Sequence, residues 1–190
     1  QCGLCDYDGC KPYATAIVKN GESIDRCLPG GVRTLQKLAA LLNQDSKPYE
    51  QAMAEKAKPA MLAVIREAEC IGCTKCIQVC PTDAIIGASK KMHTVISDAC
   101  TGCELCIEPC PVDCIDLITL PQRDEQSQEA FSTQARQRFY ARNERLARDK
   151  QEKKKQHQAA KLNHLKQDTQ SARQDYIQAA LARVKQNKER

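Results

Sequence analysis

The sequence predicts an α+β fold: a small helical N-terminal domain, then a pseudo-twofold module of short strands and cysteine-rich loops, then a long helical or disordered C-terminal tail. Three observations carry this expectation. Cysteine, glycine and proline positions between Cys70 and Ile115 repeat at an interval of thirty residues. A separate group of four cysteines and a helix-periodic run of leucines fill the first 45 residues. Composition then changes at Pro121, the last proline: all thirteen cysteines and all eight glycines precede it, and the net charge passes from −3 over residues 1–120 to +8 over residues 121–190. The expected boundaries are 1–45 for the helical domain, 46–60 for a linker, 61–120 for the repeat module and 121–190 for the tail.

Residues 1–120 hold only three aromatics, Tyr7, Tyr13 and Tyr49, and no Trp, so the core is thin and bound metal is expected to supply much of the folding free energy. In the first domain, residues 13–19 have helical spacing. Residues 32–43 form an amphipathic helix with Val32, Leu35, Leu38, Ala39 and Leu42 on one stripe, packed against the cysteine loops. Cys2, Cys5, Cys10 and Cys27 read C-x2-C-x4-C-x16-C with glycines at the turns. Four thiolates so spaced suit a [4Fe-4S] cube or a structural zinc, and spacing leaves the two open.

In the repeat module, Cys70, Gly72, Cys73, Cys76, Cys80, Pro81, Asp83 and Ile85 recur thirty residues on as Cys100, Gly102, Cys103, Cys106, Cys110, Pro111, Asp113 and Ile115. Each half is C-x2-C-x2-C-x3-C-P, the bacterial ferredoxin run. Three cysteines at i, i+3 and i+6 let one tight loop wrap three corners of a cubane, and the fourth corner comes from the other run. One cluster is therefore assigned to Cys70, Cys73, Cys76 and Cys110, and its twin to Cys80, Cys100, Cys103 and Cys106. Gly72 and Gly102 bring backbone N–H groups close to the sulfurs, and Pro81 and Pro111 turn the chain out of the loop. Flanking segments 61–67, 93–98 and 115–120 read as short strands.

A disulfide scaffold is the usual meaning of dense cysteine in a short secreted chain, but two ferredoxin runs need reduced thiolates. Four-cysteine zinc sites more often show two separated C-x2-C pairs. Cys114, whose repeat partner is Ala84, is expected to be a small buried side chain rather than a ligand. His93, His157 and His164 read as isolated, no nucleophile constellation is visible, and no catalytic residue is assigned. An enzyme reading would need a flavin or substrate pocket that the sequence does not announce. No run of 18 apolar residues or signal peptide is present, and the opening Gln1-Cys2, already inside a ligand motif, suggests a fragment of a longer chain.

The motifs Cys-Gly-Leu-Cys followed by Gly-Cys-Lys-Pro-Tyr-Ala at 2–14, Arg-Cys-Leu-Pro-Gly-Gly at 26–31 and Cys-Ile-Gly-Cys-Thr-Lys-Cys-Ile-Gln-Val-Cys-Pro-Thr-Asp-Ala-Ile at 70–85 resemble the ferredoxin-like B subunit of the bacterial Rnf/Rsx-type electron transport complex. Met92-His93-Thr94-Val95 and Cys-Thr-Gly-Cys at 100–103 continue the resemblance, which covers residues 1–120. It implies a third [4Fe-4S] cluster at Cys2, Cys5, Cys10 and Cys27, and a place on the cytoplasmic side of the inner membrane. It further implies relay of electrons to membrane subunits, and a membrane helix ahead of the first cysteine that this sequence does not include.

The tail departs from short-tailed members of that family. It is rich in Ala, Gln, Lys, Arg and Glu, with ten large apolar residues after Pro121, too few for a core. Leu162, Leu165, Thr169, Ala172 and Tyr176 keep heptad spacing, but the Lys153–Lys155 run breaks the pattern. A solvated helix or disordered extension is the expectation; a docking arm for an acidic partner or anionic lipid, or for the acidic head itself, is the sharper alternative. Nucleic acid is not expected, because no aromatic platform interleaves the charge. The functional expectation is an electron relay through three [4Fe-4S] clusters, between redox donor and acceptor proteins. The alternatives are a free-standing polyferredoxin serving a soluble reductase, or a docking protein with structural clusters.

Overall fold

The computed structural model describes residues 2–188, with mixed helix and strand up to Thr119 and one long helix after it. Helix α1 (Cys10–Asn20) starts after Gly9, carries Pro12 in its first turn, where a missing N–H costs no hydrogen bond, and stops at Gly21 in a left-handed conformation (φ 67°). Helix α2 (Gly31–Leu42) follows a 3-10 turn at Leu28–Gly30 and ends at Asn43, also left-handed (φ 54°). Residues 46–60, expected as a linker, contain a third helix, α3 (Lys47–Lys56), with Pro48 in its first turn and a single buried residue, Met53. One buried methionine gives no periodic stripe, so the helix leaves little trace in the sequence.

These helices enclose a small core of Tyr13, Ile17, Ile24, Leu35, Ala39 and Met53, with Val32, Leu38 and Leu42 packed at its margin. Burying a leucine such as Leu35 contributes about 1.5–3 kcal/mol. Tyr13 donates its hydroxyl to the Ser23 carbonyl at 2.7 Å, and Tyr7 donates to Glu22 Oε2 at 2.5 Å. The Tyr7 bond ties the cysteine-bearing N-terminal loop, and the Tyr13 bond ties α1 itself, to the segment that follows α1.

The repeat module is built from two antiparallel strand pairs. β1 (Met61–Ile65) pairs with β4 (Ile115–Thr119) in the register Ile65 to Ile115, and β2 (Ile85–Ile86) pairs with β3 (Thr94–Val95) in the register Ile85 to Val95. A short helix, α4 (Lys75–Val79), follows the first ligand loop. The strand expected over 93–98 is only Thr94–Val95, because the chain turns into a 3-10 helix at Ser97–Ala99 to enter the second loop. β2 lies outside the expected strands, since two residues are too few for a periodic signal.

The pseudo-twofold extends to the backbone. Arg66 N–H donates to the Cys114 carbonyl at 2.8 Å, and thirty residues on Ile96 N–H donates to the Ala84 carbonyl at 2.7 Å. Thr74 and Glu104 are left-handed with φ of 63° and 65°, and Asp83 and Asp113 both have φ of 49°. Non-glycine residues held there cost on the order of 1–3 kcal/mol each, so the repeat preserves a backbone that the ligand loops require.

Helix α5 (Glu125–Lys188) shows the tail as helix. Its first turns are held by the head: Glu129 accepts from Arg33 at 3.0 Å and from Lys37 at 2.6 Å, both on α2. Arg142 donates to the Gln78 carbonyl at 2.5 Å and lies 3.7 Å from Asp83. The polarity at Glu129 is the reverse of a basic tail on an acidic head; only Arg142 with Asp83 has that sense. From Asn143 onward the helix forms a second unit. Its large apolar residues, Leu146, Leu162, Leu165, Tyr176, Ile177, Leu181 and Val184, are all exposed, as a solvated helix without a core requires.

Candidate metal centres

Each ligand loop leaves its strand, passes a left-handed glycine and enters a short turn that aims consecutive sulfurs inward. Gly72 (φ +69°) and Gly102 (φ +64°) are required here for two reasons. Their backbone favours glycine, and a Cβ on Gly72 would strike the Lys91 backbone, while one on Gly102 would strike the Met61 carbonyl oxygen.

The result is two apolar, thiol-lined cavities. Cys70, Cys73, Cys76 and Cys110 line the first; Cys80, Cys100, Cys103 and Cys106 line the second. The last cysteine of each run therefore faces the cavity of the other run. Among the described residues these cysteines form no disulfide.

The electrostatics suit thiolate chemistry. Burial pushes the Cys76 and Cys103 thiols up and takes Cys106 to about 12, so protons leave these sulfurs only when a cation takes their place. Backbone donors also point at two of the other ligand sulfurs: Ala84 N–H reaches Cys80 Sγ at 3.2 Å and His93 N–H reaches Cys70 Sγ at 3.4 Å. At Cys110 burial alone would raise the thiol, but N–H groups of Cys114, Val112 and Asp113 and the Cys114 thiol outweigh it and lower it. Apolar walls, four sulfurs per cavity and inward N–H groups fit a cubane cluster, whose thiolates gain from each such hydrogen bond.

Cys114 is buried, 3.6 Å from Cys110 Sγ, and burial pushes it up to about 12. It is the small buried side chain that its repeat partner Ala84 suggested, although it also lines the first cavity. His93 corrects the sequence reading. Far from isolated, it is 1% exposed, and its Nδ1 sits 3.3 Å from Cys76 Sγ. The repeat held a signal, because its partner thirty residues earlier is Ala63.

At the N-terminal site, Cys5 and Cys27 pack at the edge of the helical core, and Cys10 opens α1 on the surface. Burial pushes the Cys27 thiol up; the Gly30 N–H opposes this, and the nearby Cys10, Cys2 and Cys5 add to it.

Two pseudo-symmetric four-cysteine cavities are the arrangement an iron–sulfur protein needs, and residues 63–117 match the family model "4Fe-4S dicluster domain". Residues 1–29 match the model "Putative Fe-S cluster". The chain is 62% identical over 119 residues to the B subunit of the ion-translocating oxidoreductase complex of Cronobacter sakazakii, covering 62% of this chain and 61% of that protein. It is 64% identical over 118 residues to the corresponding protein of Ectopseudomonas mendocina, covering 62% and 60%, and 57% identical over 125 residues to that of Klebsiella pneumoniae, covering 66% and 65%. Over this stretch the chain is similar to the B subunits of ion-translocating oxidoreductase complexes. It spans about three fifths of the length of those relatives.

Proposed function

We propose that this chain is the iron–sulfur relay of an Rnf-type complex, passing electrons one at a time through three [4Fe-4S] clusters to the complex's membrane subunits. The observation that carries the reading is the crossed lining of the two cavities, in which each run lends its fourth cysteine to the other. In this reading Cys70, Cys73, Cys76 and Cys110 hold one cluster, and Cys80, Cys100, Cys103 and Cys106 hold its twin. Cys2, Cys5, Cys10 and Cys27 hold the third, with residues 1–45 as its domain, 61–120 as the two-cluster domain and 121–190 as a basic extension. When bound, each cluster supplies one-electron redox chemistry. The chain's own residues fix the sulfurs, exclude water and direct N–H dipoles at the thiolates.

Relatives named as subunits of an ion-translocating oxidoreductase complex support complex partners; in this proposal the chain works at the inner membrane, on its cytoplasmic side. Among the described residues no helix is long and apolar enough to cross a membrane. Lysine and arginine in α5 suit an acidic partner surface or anionic lipid beside it.

The test is stopped-flow reoxidation of the dithionite-reduced chain by inner-membrane vesicles that contain or lack the other subunits. Faster reoxidation only with the complete vesicles supports the relay. Equal rates, with rapid oxidation by a soluble reductase instead, favour a free-standing polyferredoxin, and clusters that do not change redox state favour a docking protein.

A further inference from the structure

The pseudo-twofold provides an internal control, because residues thirty apart line equivalent places in the two cavities. Ile65 corresponds to Val95 and Ile115 to Ile85, both conservative pairs. His93 corresponds to Ala63, which is not. An imidazole therefore lies against the first cavity where the second has a methyl group.

That imidazole is held firmly. A Cβ added to Gly87 would overlap His93 Cδ2, so Gly87 is the floor on which the ring lies. Its Nδ1 is 3.3 Å from Cys76 Sγ, and among the described residues its Nε2 is buried with no hydrogen-bond partner. A thiolate bound to iron has no proton to donate, so it only accepts. The tautomer with the proton on Nδ1 makes that bond and leaves Nε2 a bare acceptor. The other tautomer would bury an unsatisfied donor and set two lone pairs face to face, a costlier arrangement. The neighbouring polar groups do not undo the asymmetry. In the second cavity the Thr101 hydroxyl reaches Cys103, but Thr101 is exposed, so solvent competes for that hydroxyl and weakens the bond. Thr82 donates its hydroxyl to the Ala99 carbonyl at 2.9 Å.

We infer that His93 is a positioning residue that raises the reduction potential of the centre held by Cys70, Cys73, Cys76 and Cys110, through an Nδ1–H hydrogen bond to Cys76 Sγ, and so makes the pseudo-symmetric pair unequal. The inference rests on the ligand assignment proposed above. Reduction adds negative charge to the centre and its thiolates, so a donor on sulfur stabilises the reduced state more than the oxidised one. The bond is fully desolvated, and its removal is expected to change the reduced-to-oxidised ratio at a fixed potential about tenfold, which for one electron is about 59 mV.

The experiment is a mediated redox titration of the whole chain, followed by electron paramagnetic resonance, for wild type, His93→Leu and His93→Asn. Leucine fills the ring's place without a donor; the asparagine amide nitrogen reaches the position of Nδ1. Expected for His93→Leu is a fall of about 59 mV at one centre only, with the others unmoved and iron content unchanged. His93→Asn restores the wild-type value. Unchanged potentials in His93→Leu, or an equal fall at both module centres, overturn the inference. Should His93→Leu lose iron, His93→Asn decides: a wild-type potential supports the hydrogen bond and a lowered one overturns it. A wild-type chain without two one-electron centres in the module overturns the ligand assignment and this inference together, whereas full redox activity with no shift overturns the inference alone.

Discussion

Replacing Cys80 by serine should empty a site to which its own run does not otherwise contribute. Cys80 is 7% exposed, lines the second cavity with Cys100, Cys103 and Cys106, and accepts the Ala84 N–H at 3.2 Å. Serine is nearly isosteric, so no packing void opens, but a hard hydroxyl is a poor ligand for iron in a sulfur cluster. With eight ligand sulfurs for two cubanes, losing one ligand removes one cubane, about four of the roughly eight irons in this module. The direction is read by anaerobic purification, iron and sulfide counts, and alkylation with iodoacetamide followed by peptide mass mapping. Cys100, Cys103 and Cys106 should become reactive, while Cys70, Cys73, Cys76 and Cys110 stay protected. A full iron complement in Cys80→Ser, or labelling that falls on Cys70, Cys73 and Cys76 instead, would refute the crossed assignment.

Gly72→Ala forces alanine to φ +69° and drives its Cβ into the Lys91 backbone, so a loss of about 2 kcal/mol or more is expected, measured as a lower urea midpoint and faster iron loss from the module. Leu35→Ala empties a side chain that is 1% exposed between the N-terminal helices, and should cost about 2–5 kcal/mol, seen as earlier alkylation of Cys5 and Cys27 in urea. Because burial holds Cys103 and Cys106 protonated, the latter up to about 12, iron and protons compete for these sulfurs. Iron affinity should therefore fall as pH is lowered, by about tenfold per displaced proton per pH unit, and chelator competition between about pH 6 and 8 would show it; a flat profile would contradict the burial argument.

The ligand loops are legible in the sequence because their geometry is local. Cysteine at i, i+3 and i+6, a left-handed glycine and a closing proline fix one loop within a dozen residues, and the thirty-residue repeat then implies its twin. Helix α2 is legible through its leucine stripe, and its start and end fall within a residue of the expected 32–43. Helix α3 is hidden because only Met53 is buried, and β2 because it is two residues long. His93 is hidden for a different reason. Its place beside Cys76 depends on β3 folding back on β2, a pairing that the sequence of either strand does not specify. Only the mismatch with Ala63 marks it in advance. In the tail, helix propensity is plain, whereas the contacts of Glu129 with Arg33 and Lys37 join residues more than ninety apart that carry no pattern linking them.

The most direct test of the relay is a count of iron, sulfide and zinc on the whole chain purified without oxygen, together with electron paramagnetic resonance after dithionite reduction. About twelve irons and twelve sulfides per chain, with signals from three interacting centres, is the result that three four-cysteine sites require. About eight irons with one zinc, and no third signal, would leave the two-cluster module intact. It would contradict the three-cluster relay by making Cys2, Cys5, Cys10 and Cys27 a structural site.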